Sequence, residues 1–478
     1  MKKTTIYILA LFLTGAVFSS CKKTVDLNPT HTIDGDELFK NVEDYDLALT
    51  GAYQRLKQNG LYGGVNGSSL FLSAVDIASD NFYSGGSANL GNMNSLFRWN
   101  YTADNGVVEA GWDNAYTAIQ QANLAMRGID RFVATDPLAV NRIEGQARTL
   151  RAHLHFELLR WWATDYDRNS TSLGIPYVDK FDIEQMPARG TVKQTYDKIE
   201  ADLKTARNMM SNTDREIQSL SSDAADARAY VDTLVCDAIL ARMYLYANQW
   251  DSAIKYATYV INARPLAAAD EFPEIWQDVS TAEVVWSIKY QAGNPALIRE
   301  IYQVSGDRMS WAPATALLNL YGPDDIRYDA YWVNRGGRIV PNKYFSKPTA
   351  AANPDGVTDF KIFRTGEMYL IRAEAYARKG GNDVPALASL NALRAARGAA
   401  IGAETGAALI TAILTERRKE LPIEGHRFFD LKRTTRTVAR TQSCTSYCSL
   451  APDNRAWALP IPQTEMLANE NMEQNPGY

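Results

Sequence analysis

Residues 234–265, LVCDAILARMYLYANQWDSAIKYATYVINARP, decide the fold. Apolar residues recur at helical spacing from Leu234 to Leu245, and a second amphipathic stretch runs from Trp250 toward Pro265, so two helices meet at a turn beside Trp250. Ala241 and Ala253 are small enough to let the helices approach closely, and Tyr244 fills the space toward a neighbour. Cys236 falls inside the apolar pattern and reads as a buried thiol.

Ala241, Tyr244, Ala253 and Pro265 stand at the small, aromatic, small and proline positions of a tetratricopeptide repeat. A second copy places Ala373, Tyr376, Ala386 and Leu390 at the same spacing, with one extra residue in the turn Lys379-Gly380-Gly381-Asn382. Period alone gives two further pairs, 45–56 with 112–129 and 143–162 with 192–210. Four pairs, near 45–129, 143–210, 231–265 and 366–397, predict a mostly α-helical fold of tetratricopeptide-like pairs stacked into a curved scaffold. Two long inserts, near 60–111 and 267–365, are rich in Gly, Asn, Pro and Ser and read as irregular loops with a few short strands, among them 284–290 and 359–363. Loops carried on a rigid frame are where binding usually resides.

The N-terminus carries a second signal. Lys2 and Lys3 precede an almost wholly apolar run at 6–18, too short to span a bilayer, and Ser19-Ser20-Cys21 follows. Residues 1–20 therefore read as a secretion signal, and the small residues before Cys21 resemble a bacterial lipobox, which implies cleavage there and acylation of Cys21. Several acyl chains, at about 0.8 kcal/mol per buried methylene, give a stable anchor without a membrane-spanning helix. A plain signal with an incidental cysteine is the alternative. An exported chain meets oxidising conditions, so Cys444 and Cys448, which bracket Thr-Ser-Tyr, are expected to form a local disulfide. No third or fourth ligand lies near them in sequence, which argues against a metal site.

A net charge of −5 gives no general attraction to nucleic acid. The chain has no Gly-x-Ser-x-Gly elbow, no phosphate-binding Gly-Lys-Ser/Thr loop and no His-Glu-x-x-His motif. Of its four histidines, His153 and His155 are two apart on a helix and point to different faces. A glycosidase needs only two suitably spaced carboxylates, and Asp76 with Asp80 is the pair to test for it.

Near the C-terminus, Glu416 and Glu420 flank Arg417, Arg418 and Lys419, a spacing that suits ion pairs on an exposed helical face. Pro422 ends that helix at about Leu421. The following Gly425-His426-Arg427-Phe428-Phe429-Asp430 suits a half-buried turn in which Arg427 pairs with Asp430. With Leu431 to Arg433, 458–462 and Gln474-Asn475-Pro476-Gly477-Tyr478, these stretches resemble the C-terminal signature, 416–478, of the SusD/RagB family. Residues 147–161 with Gly174-Ile175-Pro176, residues 112–123 and Asp26-Leu27-Asn28-Pro29 are similar to the family's other segments, so the resemblance runs in order through one domain spanning 21–478.

That resemblance implies a lipoprotein facing outward from the outer membrane that binds a nutrient glycan without turning it over, needs no cofactor, and delivers the ligand as a lid on a SusC-like TonB-dependent transporter. Peptide binding within the family, a surface glycoside hydrolase and a pure protein-interaction scaffold are the competing readings. Sugar recognition needs flat apolar rings and directed polar groups. The first insert offers Asp80, Tyr83, Trp99 and Asn100; the second offers Tyr290, Tyr302, Trp311, Tyr321, Tyr331 and Trp332. Trp99, Asn100 and Trp311 lead the expected ligand contacts, with Asp80, Tyr83 and Tyr290 beside them. The anchor is checked by growth with a labelled fatty acid: the native chain takes up label, and a Cys21→Ala chain that still does so rules out acylation at Cys21.

Overall fold

The computed structural model describes residues 38–63, 69–85, 91–213, 228–291, 310–345, 347–348, 356–444 and 446–478. The secretion signal, Cys21 and Tyr302 lie outside the described residues.

Helix α1 (Val42–Arg55) is followed by the short α2 (Ser73–Ile77), strand β1 (Phe82–Ser84), α3 (Gly91–Arg98) and the long α4 (Gly106–Leu124). Helices α5 (Pro137–Trp162), α6 (Val192–Met210), α7 (Thr233–Tyr246) and α8 (Trp250–Ala263) come next. The second insert holds α9 (Glu271–Ile275), β2 (Val284–Ile288), β3 (Trp311–Pro313), α10 (Thr315–Leu318), α11 (Arg327–Tyr331), the hairpin β4 (Trp332–Arg335) and β5 (Arg338–Pro341), and β6 (Phe360–Arg364). The chain closes with α12 (Thr365–Lys379), α13 (Asp383–Ala396), α14 (Gly406–Glu420), α15 (Arg427–Arg433), the small ladder of β7 (Val438–Ala439) and β8 (Ser449–Leu450), and α16 (Gln463–Ala468).

The eight scaffold helices pair as their periodicity predicts: α1 with α4, α5 with α6, α7 with α8, and α12 with α13. Neighbouring pairs join through α4 on α5, α6 on α7 and α8 on α12. Local chemistry starts several of them. Asn41 with Asp44 and Thr191 with Gln194 form reciprocal capping boxes on α1 and α6, while Asp136 caps α5 with Pro137 in its first turn. Small residues set the approach distance: a Cβ at Gly145 of α5 would lie 2.5 Å from Met210 Cγ of α6. Ala241, Ala253, Ala373 and Ala386 are fully buried, and Tyr244 stacks on Tyr256 with ring centroids 5.6 Å apart. Cys236 is a free, buried thiol. The strands expected at 284–290 and 359–363 are β2 and β6, paired antiparallel and buried along their length.

The charged C-terminal helix departs from the expected exposed face. Glu416, Arg417, Lys419 and Glu420 are all buried. Spacings of three and four are the same whether a helix faces water or faces ion partners from elsewhere, and here, beside a local Glu416–Lys419 pair at 3.4 Å, the partners are remote. Glu420 accepts from Arg364 and Arg397 on Oε1 and from Arg327 on Oε2, each at 3.0 Å. Glu283 joins Arg364 (2.6 Å) and Arg397 (2.8 Å), and Glu424 joins Arg364 (2.7 Å) and Lys343 (2.6 Å). Asp325 joins Arg327 (2.8 Å) and Lys419 (2.9 Å), Glu416 bridges Arg327 and Arg394, and Glu404 meets Arg394. Rings cover the cations: Lys343 lies 4.0 Å and 3.9 Å from the Trp276 and Tyr331 centroids, and Arg397 lies 3.8 Å from that of Phe272.

The Arg427–Asp430 pair is likewise replaced. Arg427 turns to Asp80, and Asp430 accepts from Arg417 (3.1 Å) and Arg433 (2.8 Å). Helix α14 does stop at Glu420, two residues before Pro422, whose ring would clash with the preceding turn if the helix ran on.

Burial alone would raise the Glu420 carboxyl, but Arg397, Arg364 and Arg327 outweigh it and hold it well below the usual range. Glu374 and Asp430 are each held at about 2 against their own burial, chiefly by Arg433 and by Arg417 respectively. Such groups bind protons more weakly folded than unfolded, so their contribution is complete above an ordinary carboxylate pKa of about 4 and is lost as pH falls toward the folded value. In urea titrations at neutral pH, Glu420→Gln is expected to lower the unfolding free energy by about 3–5 kcal/mol, because three guanidiniums keep their burial and lose their shared acceptor. The exposed Glu470→Gln changes it by less than about 0.5 kcal/mol. An equal effect of the two substitutions refutes the structural role of the network. The gap between wild type and E420Q narrows below about pH 4.

Candidate ligand-binding face at the junction of the two inserts

The two inserts are hydrogen-bonded to each other through strands more than two hundred residues apart in the chain. Strand β1 of the first pairs antiparallel with β3 of the second, placing Tyr83 opposite Ala312 and Ser84 opposite Trp311. The ladder is extended by Gly85 N to Ser310 O (2.9 Å) and Ala314 N to Asn81 O (2.8 Å). Tyr83 is half-buried and packs with Val333 against Ala312 and Val340.

Behind this ladder, Trp311 is buried against Phe97 of α3, with centroids 4.8 Å apart. Trp99 follows α3 in a left-handed backbone conformation (φ 56°) and donates its indole N–H to Ala78 O at 2.9 Å. The Arg440 guanidinium lies 3.9 Å and 4.0 Å from the ring centroids of Phe97 and Trp99 and donates to the carbonyls of Ile77, Ala78 and Ser79. Burial pulls Arg440 down to about 9.

A third segment completes the junction. Cys444 and Cys448 are joined by a disulfide with Cα atoms 5.1 Å apart, next to the β7–β8 ladder. From within this loop Tyr447 meets Phe97 edge-on (5.3 Å) and lies under the Arg98 guanidinium (5.3 Å), while Gln442 accepts from the Thr315 amide at 2.7 Å. The loop thus touches both inserts. Tyr83, Trp99 and Tyr447 remain half-buried, and Arg98 and Asn100 are exposed. Half-exposed rings beside a guanidinium and an amide can stack on an apolar sugar face while hydrogen-bonding its hydroxyls.

Other expected contacts are elsewhere or are covered. Asp80 is buried and bonds both carboxylate oxygens to Arg427 (2.7 and 2.9 Å), with Arg418 3.5 Å away. Burial would raise its pKa, but Arg427 and then Arg418 hold it at about 2. It is a structural acid, unavailable to a ligand, because the C-terminal turn closes over it. Asp76 is fully buried, accepting from Asn81 Nδ2 (2.8 Å) and from the Ile423 amide (2.9 Å), and burial pushes it up to about 7. The acid pair considered for glycoside hydrolysis is therefore internal.

Trp311 lies at the junction but is covered by its neighbours. Tyr290 lies apart from the junction, buried beyond the end of β2 with its amide bonded to Asp359 (3.1 Å). Tyr321 and Tyr331 donate to the carbonyls of Lys419 and Glu420, and Trp332 is buried against Phe82. His153 and His155 serve packing: His153 meets the Tyr62 hydroxyl at 2.6 Å and His155 accepts the Val178 amide at 3.0 Å. Among the described residues no three His, Cys, Asp or Glu side chains group to hold a metal. Sequence reasoning missed Tyr447. Its signal was present, a ring held between two bridged cysteines and so displayed on a stiff loop.

A family model described as the SusD family matches residues 319–478, and one described as starch-binding associating with outer membrane matches 36–245. Neither covers 246–318, where β2 and β3 lie. SusD-like protein P2 of Formosa agariphila is 24% identical, with 100% of each chain covered. A SusD superfamily protein from Bacteroides vulgatus is 25% identical with a TM-score of 0.78, covering 92% of this chain and 100% of its own. The surface glycan-binding protein A of Bacteroides uniformis has the same fold at 21% identity, with a TM-score of 0.72 and coverage of 91% and 99%. From its helix pairs through its C-terminal signature, the chain belongs to the SusD family.

Proposed function

We propose that the chain is a lipoprotein, anchored through Cys21 on the outer face of the outer membrane, that binds a glycan at the insert junction and passes it to a SusC-like TonB-dependent transporter as that barrel's lid. The observation that carries this reading is the convergence of three remote segments at one junction, with Trp99 and Tyr447 half-exposed near Arg98 and Asn100 and Tyr83 half-exposed on the strand that joins the two inserts. Membership of a family whose models include one described as starch-binding, and likeness to a surface glycan-binding protein, support the ligand class. The internal placement of Asp76 and Asp80 supports binding without turnover. A shallow face of this kind suits modest affinity, about −8 to −4 kcal/mol for micromolar to millimolar binding. Attachment beside a transporter supplies the effective concentration that such affinity needs.

The test is a glycan panel screened with the lipid-free chain. A Tyr83→Ala, Tyr447→Ala double variant is expected to weaken binding of the captured glycan about tenfold or more, since stacked rings contribute about 0.5–1.5 kcal/mol each beyond their area. A variant that unfolds like wild type and binds the glycan equally well defeats the assignment of this face.

A further inference from the structure

A concavity lies between α1 and β2. It encloses about 250 Å³ and is lined by Tyr53, Gln54 and Lys57 from the end of α1, by Tyr230, and by Lys289 and Gln291 at the end of β2. At that size it is smaller than the roughly 300–1,000 Å³ of ordinary ligand pockets, so it suits one ring of an oligosaccharide. Tyr53 and Tyr230 meet edge to face at 5.6 Å and give it an aromatic wall. Its floor is the buried Trp286, whose indole donates to Ala229 O at 3.2 Å.

The charge here is one-sided. Lys289 pairs with Asp359 at 2.9 Å. Lys57, half-buried, forms no ion pair with any described carboxylate; its ammonium lies 5.8 Å from the Tyr290 ring centroid. Desolvation lowers the Lys57 pKa, Asp359 opposes this, and the neighbouring Lys289 adds to it. Asp359 is the acid that faces both lysines, and Lys289 already holds it. A cation partly stripped of water, beside rings and two amides, is completed by an anionic oxygen group carried on a flat apolar body.

We infer that this concavity binds one negatively charged sugar unit, its uronate carboxylate or sulfate ester meeting Lys57 while its ring lies against Tyr230. The inference rests on the glycan-binding reading above and narrows its ligand class to acidic glycans. Ring and charge are both needed, which sets the site apart from a solvated lysine pair.

Calorimetry of the full mature chain with three pentasaccharides, one of galacturonate, one of sulfated galactose and one of neutral galactose, tests it. At low salt one charged pentamer is expected to bind about tenfold more tightly than the neutral one, and which one tells carboxylate from sulfate. The margin disappears at high salt and in Lys57→Gln, and Lys57→Arg retains it. Equal binding of all three pentamers, or a margin that survives Lys57→Gln, overturns the inference. If only the neutral pentamer binds, and the Tyr83→Ala, Tyr447→Ala variant loses it, the charged site fails while the glycan reading stands. If no pentamer binds, the inference falls, and the glycan panel decides the wider reading.

Discussion

Glu420 stands where the last scaffold elements and the second insert meet, and its carboxylate is shared by Arg327, Arg364 and Arg397 from three different segments. Moving such charges out of water is costly, and an ion pair in the interior offsets that cost only when geometry is good and the remaining donors are satisfied. Here Glu283, Asp325, Glu404, Glu416, Glu420 and Glu424 are interleaved with Arg327, Lys343, Arg364, Arg394, Arg397 and Lys419, so charge balances locally. Directional bonds of this kind fix position more narrowly than apolar contact does. They hold an insert of little regular structure in one place on a helical frame.

The frame was legible because its signal is local. Helical period, capping residues and small-aromatic spacing act within a turn or two of chain, and helix α6 begins and ends where its pattern does. The charged signature was legible as an identifier and misleading as a surface. Its Glu and Arg residues satisfy i,i+4 spacing, yet their partners are up to 347 residues away, as Arg427 and Asp80 are. Nothing in a window of seven residues distinguishes a solvated face from one covered by another segment.

The candidate face was half legible for the same reason. Reading the inserts for rings and amides led to Tyr83, Trp99 and Asn100, which keep accessible surface, and equally to Trp311 and Tyr290, which close the interior. Ring content reports that a segment needs to pack or to bind; the choice between them is made by β1–β3 pairing and by the disulfide loop, both long-range events. Lys57 carried no motif at all. Its interest comes from the neighbours the fold gives it.

The bond between Asp80 and Arg427 also has a bearing on time. The first insert places its acid near the start of the chain, and the guanidiniums that neutralise it, Arg427 and Arg418, emerge only near the end. Loop closure over such a span is slow relative to helix pairing, so the helical pairs can form in sequence while the first insert waits. The bond that pins Asp80, three residues before Tyr83, can therefore form only once nearly the whole chain has been delivered.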